Sequence, residues 1–190
     1  MSIVNLEAVS VTCVRYDADG WGVGELWLEG TRLVWHELPR EAPPPRDPHP
    51  GWGPNPPPSR STIPAKGARD RHGNAPEVEL LVHRCERYFA GESVSFGDVD
   101  IDADGWTPFQ QDVAAVLRAV PYGEVLSYSD LARAAGYPRA QRAAGTFCAG
   151  NRFPLVVPCH RVVGASGIGS YGSLGIDYKR RLLALEGVSL

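Results

Sequence analysis

Near the end of the chain, the run Val157-Pro158-Cys159-His160-Arg161-Val162 sets a thiol beside an imidazole, behind a proline. A thiolate is a strong nucleophile, and a neighbouring imidazole can take the thiol proton to create one. A cysteine in an apolar run is more often an inert core residue. Here, however, it is followed by His160 and Arg161, which a plain core strand would not select. Consecutive residues of an extended chain point to opposite sides, so His160 reaches Cys159 only through a bend or a water. A base of this kind is usually oriented by an acid. Glu186 closes the final apolar segment at a helix C-terminus, where the dipole disfavours an anion by about 0.3–1 kcal/mol. A charge placed against that preference points to a role.

A second chemistry is written in the arginines. Between Ser127 and Arg161, Arg133, Arg139, Arg142, Arg152 and Arg161 face a single acid, Asp130. Residues 121–190 carry a charge of +4 in a chain whose net charge is -3, so residues 1–120 carry -7. A local basic face on an acidic protein suits phosphate binding rather than a general affinity for polyanions. Arg139 and Arg142 fall on one side of a helix spanning 138–148, and Ala140, Ala143, Ala144 and Gly145 leave that helix nearly bare. A helical glycine costs about 1 kcal/mol relative to alanine, so something must approach closely. A nucleic-acid groove and a tightly packed neighbouring helix are the two readings.

These residues need elements to hold them. Residues 3–38 alternate like strands, broken by turn signals at Asp19-Gly20 and Glu29-Gly30. Residues 39–75 are proline-dense and nearly devoid of aliphatic side chains, which predicts an extended, mobile loop. Val78, Leu81, Val82, Cys85 and Phe89 keep helical spacing over 76–90. Thr107-Pro108-Phe109-Gln110 is a capping box that opens a helix to about Val120. Ser127 to Asp130 opens another helix, which stops at Gly136, and Pro138 begins the next; together they form a helix-turn-helix. Phe153 to Val157 reads as a buried strand, and the last helix runs from about Asp177 to Glu186. The fold class expected is therefore α/β and two-lobed. A strand-rich N-terminal domain, 1–105, precedes a mostly helical C-terminal domain, 106–190, which holds the helix-turn-helix and a short active-site strand or loop.

Other classes are disfavoured. No apolar run approaches the roughly 18 residues of a membrane span, and the N-terminus lacks a secretory pattern, so a cytoplasmic protein with no membrane partner is expected. The four cysteines are scattered without CxxC spacing, so no disulfide framework is written. Cys13, His36, His83 and Cys85 match no zinc signature, and neither a metal nor a cofactor is expected.

The segments PYGEVLSYSDLA, RAAGTFCAGNRFPLVVPCHRVV, GSYG and KRRLLALEG closely resemble the O6-alkylguanine-DNA alkyltransferases, also called methylated-DNA–protein-cysteine methyltransferases. The resemblance runs almost continuously from Trp106 to Gly187. It implies irreversible, single-turnover transfer of a methyl or larger alkyl group from O6-alkylguanine to Cys159 after base flipping, with O4-methylthymine as an alternative lesion. In that scheme His160 is the base, acting through a water, and Glu186 orients it. Tyr128 contacts a phosphate and assists proton transfer to the leaving guanine, and Asn151 is a hinge beside the nucleophile. Arg142 fills the gap left by the flipped nucleotide. Ala143, Ala144 and Gly145 press into the minor groove of double-stranded DNA, with Arg139 and Arg161 as further DNA contacts. Cys148, Val162, Tyr171, Gly172 and Lys179 surround the base. A monomer is implied, with cooperative binding along DNA an open alternative. Between Tyr171 and Lys179 the chain is one residue longer than the family pattern. Two other classes compete with this reading: a non-enzymatic DNA binder using the same helix-turn-helix, and a cysteine hydrolase built on Cys159, His160 and Glu186. The retained cysteine speaks against the first, and the lack of an oxyanion-hole glycine motif against the second.

Overall fold

The structure is a computed structural model and describes residues 11–41, 75–165 and 167–190. The chain opens with a three-stranded antiparallel sheet in the order β1 (Val11–Ala18), β2 (Gly22–Glu29), β3 (Arg32–Arg40). The predicted residues 3–10 of the first strand lie outside the described residues. So does 42–74, most of the predicted proline-rich loop. At the edges of that loop the structure corrects the prediction: Pro39 and Arg40 still belong to β3, and Ala75 is already the N-cap of α1 (Pro76–Phe89). Leu38 is buried and the Pro39 carbonyl accepts from the Tyr178 hydroxyl at 2.9 Å, which holds the strand end in place despite its proline.

α1 buries Val78, Leu81, Cys85, Tyr88 and Phe89 and packs on β1; this is the predicted stripe except that Val82 is only half-buried and Tyr88 joins the core. Gly24 of β2 has a specific job. A Cβ there would lie 2.2 Å from the Tyr16 ring, so only glycine lets that ring cross the strand and reach His36.

The C-terminal part is helical. α2 (Pro108–Ala119) starts with the predicted capping box, Thr107 with Gln110. A two-residue parallel pair, β4 (Leu126–Ser127) with β5 (Val162–Val163), joins the entry of α3 (Tyr128–Ala134) to the segment after Cys159. α3 packs on α4 (Gln141–Ala149), and α5 (Gly175–Leu185) closes the chain. Among the described residues no helix is long and apolar enough to cross a membrane.

Two predicted elements change. The helix expected from Pro138 starts at Gln141, because residues 137–140 form a turn closed by the Ala140 N–H on the Tyr137 carbonyl at 2.9 Å. Arg139 therefore lies in the turn and shares no helical face with Arg142. The strand expected over Phe153 to Val157 is instead a buried run of turns in which Leu155 holds φ at 70°. A positive φ is uncommon for a residue with a branched side chain and costs of order 1 kcal/mol or more. The apolar composition was read correctly as buried, but burial here does not come with sheet pairing.

Candidate active site

Cys159 sits in one turn of 3-10 helix, Cys159–Arg161, directly after Pro158. The backbone here is therefore not the extended chain in which consecutive side chains point to opposite sides. Cys159 and His160 are both buried, at 6% and 0% exposure, and the walls that hold them come from four places in the chain.

Asn151, just past α4, organises the nucleophile. Its side-chain N–H donates to the Val157 carbonyl at 2.7 Å and to Cys159 Sγ at 3.2 Å, while its oxygen accepts from the Phe153 N–H at 3.0 Å. Burial pushes the Cys159 thiol up; the Asn151 hydrogen bond and the Lys179 charge pull it the other way. Lys179 on α5 is buried and donates to the carbonyls of Val162 and Ser170. Burial draws its own proton affinity down, and the proximity of Cys159 and Cys148 opposes that.

His160 Nε2 lies 2.8 Å from Glu186 Oε1. A carboxylate accepts, so Nε2 carries the proton and Nδ1 is the basic nitrogen. Nδ1 is buried and has no hydrogen-bond partner among the described residues. Burial lowers the imidazole's proton affinity, and Glu186 partly restores it. Burial alone would raise the Glu186 carboxyl, but hydrogen bonds from His160 and Arg161 hold it well below the usual carboxylate range. Besides His160, this carboxylate accepts from Arg161 Nε at 2.9 Å and Nη2 at 2.9 Å, from the Gly123 N–H at 3.1 Å and from the Tyr88 hydroxyl at 2.7 Å. The helix C-terminus that made Glu186 look misplaced is outweighed by these donors.

Arg161 is corrected by this arrangement. It is 7% exposed, and its guanidinium is committed to Glu186 and to the Val120 carbonyl, so it is a partner of the acid and not a DNA contact. Ala144 is corrected too. It is fully buried, which satisfies the tight-packing reading at that position. Arg142 and Ala143 are exposed on α4, and Arg139 is exposed in the turn before it. Gly145 is half-buried, with the Tyr128 ring 3.8 Å from where its Cβ would stand.

A cleft of about 110 Å³ opens at Cys159. Cys148 and Asn151 line one side and Tyr171 and Gly172 another. β3 contributes Trp35, Glu37 and Arg40, which nothing in their sequence pattern marked. Val162 and Lys179 do not line the cleft and are fully buried, which corrects the predicted pocket. Tyr128, at the start of α3, is half-buried, and desolvation followed by the proximity of Cys148 and Cys159 pushes its phenol up. It therefore keeps its proton at neutral pH. The residues weighed as zinc ligands are spread apart: Cys13 on β1, His36 on β3, and His83 and Cys85 on α1. Both ring nitrogens of His36 are engaged, by the Tyr16 hydroxyl and the Pro154 carbonyl, and Cys85 is a core residue.

The site is a buried thiol held by an asparagine, followed in the chain by a histidine–glutamate pair and preceded by the packed helices α3 and α4. Comparison with known proteins supplies the class. The model of the 6-O-methylguanine DNA methyltransferase DNA binding domain matches residues 108–188. The methylated-DNA–protein-cysteine methyltransferase of Methanopyrus kandleri is 40% identical over 131 residues, which cover 68% of this chain and 91% of that protein. The Mycobacterium tuberculosis protein of the same name is 48% identical over 106 residues, 55% of this chain, and the match spans only 62% of that relative's length. The crystal structure of Mycobacterium tuberculosis OGT in complex with DNA superposes with a TM-score of 0.63 at 33% identity, covering 90% of each chain. O6-methylguanine-DNA methyltransferase from Pyrococcus kodakaraensis gives 0.53 at 25% identity, over 94% of this chain and 100% of the other. The chain belongs to the methylated-DNA–protein-cysteine methyltransferase family.

Proposed function

We propose that the protein repairs O6-alkylguanine in double-stranded DNA by moving the alkyl group to its own Cys159, once per molecule. The observation that carries this reading is the pairing of Cys159 with a histidine whose Nε2 is fixed on Glu186 and whose Nδ1 is left basic.

Each step pairs a residue's position in the structure with the role that the family resemblance implies. Arg142 and Ala143 project from α4 where a minor groove could receive them, and Arg142 occupies the gap left by the flipped nucleotide. The extruded guanine enters the cleft against Tyr171 and Gly172, which brings O6 to Cys159. His160 Nδ1 takes the thiol proton through a water, and the Asn151 N–H and the Lys179 charge stabilise the thiolate. The sulfur attacks the alkyl carbon. The S–C bond forms as the C–O6 bond breaks, and the electron pair stays on the guanine, which is reprotonated with help from the Tyr128 phenol. The products are S-alkylcysteine and unmodified guanine. No group in the site reverses the thioether, so turnover ends there. A bulkier group on a cysteine that is 6% exposed also overpacks its surroundings.

The decisive experiment is intact-protein mass spectrometry after incubation with a duplex bearing one O6-methylguanine, followed by peptide mapping. A single added methyl, about 14 Da, on the peptide containing Cys159 is expected, and Cys159→Ala should show none while still binding the duplex. An unchanged mass in reduced protein that binds the duplex would overturn the transfer reading in favour of a lesion-binding protein.

A further inference from the structure

The acid that orients His160 is held from the other lobe. Tyr88 lies on α1, more than seventy residues before the reacting groups, and nothing in its sequence surroundings ties it to them. Its ring is 1% exposed. Phe89, Phe96 and Tyr122 fix it through edge contacts, with centroids 5.3, 6.2 and 6.0 Å away. The hydroxyl ends 2.7 Å from Glu186 Oε1 and 3.3 Å from His160 Nε2. Because Nε2 already donates to the same oxygen at 2.8 Å, the phenol proton also goes to Glu186. Oε1 thus divides its electron density among Tyr88, His160 and Arg161.

We infer that Tyr88 is a positioning residue for alkyl transfer: by sharing Glu186 Oε1, the N-terminal lobe sets both the orientation and the basicity of His160. The inference rests on the reading of His160 as the base. Other charged or titratable groups acting on the imidazole are Glu186 beyond α5, Arg161 in its own turn and Lys179 on α5. Tyr122 faces the far side of the Glu186–Arg161 pair. Removing a single oxygen from Tyr88 deletes none of these groups. Without the phenol, more of the carboxylate's charge falls on His160 Nε2–H, so the imidazolium is favoured and the ring's proton affinity rises. A larger share of molecules then carries a protonated, inactive base, and the carboxylate loses one of its anchors.

Tyr88→Phe keeps the packed ring and removes only the donor. The expected result is a fall of about tenfold in the single-turnover rate on the acid limb, below the titration midpoint of the base, and a smaller fall at neutral pH. The acid limb of the pH–rate profile should move upward by about one pH unit, and the His160 ring signals, titrated by NMR, should move with it. Affinity for undamaged duplex should be unchanged. An unmoved NMR midpoint, or a rate that falls only in proportion to the folded fraction, would overturn the inference and leave Tyr88 a packing residue. If Tyr88→Phe fails to fold, 3-fluorotyrosine incorporated at Tyr88, a stronger donor, must shift the midpoint downward; no shift overturns the inference. If the wild-type protein transfers no alkyl group, the functional reading fails, yet the NMR comparison still decides what Tyr88 does to His160.

Discussion

Among the described residues two histidines are buried, His36 on β3 and His160 beside Cys159, and each has a tyrosine hydroxyl beside it. His36 on β3 lies between the Tyr16 hydroxyl at 2.7 Å from Nε2 and the Pro154 carbonyl at 2.6 Å from Nδ1. A carbonyl can only accept, so Nδ1 carries the proton and Nε2 accepts from the phenol. Both nitrogens are used, the ring is neutral, and burial lowers its proton affinity to about 4. His160 is equally buried, but its partner is a carboxylate and its second nitrogen has no hydrogen-bond partner among the described residues. A saturated histidine is a strut. One with a charge behind it and a lone pair left over can move a proton.

The largest expected effects are on His160. His160→Gln should slow transfer to Cys159 by about 10²–10⁴-fold, the usual contribution of a positioned general base, with duplex affinity preserved. His36→Gln should leave the rate per folded molecule within about threefold, since neither His36 nitrogen is free to act. Equal losses in the two variants, measured by single-turnover quench, would erase the distinction.

Next in size is the acid. Glu186→Gln leaves the Arg161 guanidinium buried without its counter-charge, and breaking a buried pair from one side costs about 3–5 kcal/mol. Denaturant unfolding should show that loss together with slowed transfer. His36→Gln should show only a loss of stability.

His36 also gives the folded state a pH dependence of definite sign. In the unfolded chain its imidazole titrates near the ordinary 6.5, and in the folded chain near 4. Above about 6.5 it is neutral in both states and contributes nothing. As the pH falls from about 6.5 to about 4, the unfolded chain takes up a proton that the folded chain refuses, so stability declines by about 3 kcal/mol and then levels off. Subtracting the unfolding free energies of His36→Gln from those of the wild type across this range isolates the term. A flat difference would mean that the ring accepts a proton in place.

The sequence made the C-terminal half legible because its chemistry is local. Pro158, Cys159 and His160 are consecutive, Thr107 and Gln110 cap a helix through residues three apart, and small residues in α4 announce themselves. What it hid depends on distance. Tyr88 is an ordinary core position by its spacing on α1, and only the fold brings it to Glu186, 98 residues away. The β3 wall of the cleft, the burial of Arg161 and the turn that displaces Arg139 from α4 are likewise products of packing between segments. Leu155 shows the limit within a segment: an apolar run says buried, but not whether the backbone pairs as a strand or coils into turns.

The smallest predicted effect tests whether the two tyrosines are as different as their histidines. Tyr16→Phe removes the hydroxyl that donates to His36 Nε2 and leaves a buried acceptor unpaired, a loss of about 1–3 kcal/mol. Gly24 still makes room for the ring, so the fold should persist and thermal unfolding should shift downward by several degrees. Through Pro154 this network touches the turns that lead to Cys159, yet the Pro154 carbonyl keeps its donor on Nδ1. Transfer by the folded fraction should therefore keep its rate and its pH profile. A displaced pH profile in Tyr16→Phe would mean that His36 communicates with the reacting groups through residues 154–158 and that the N-terminal lobe reaches the chemistry by two routes.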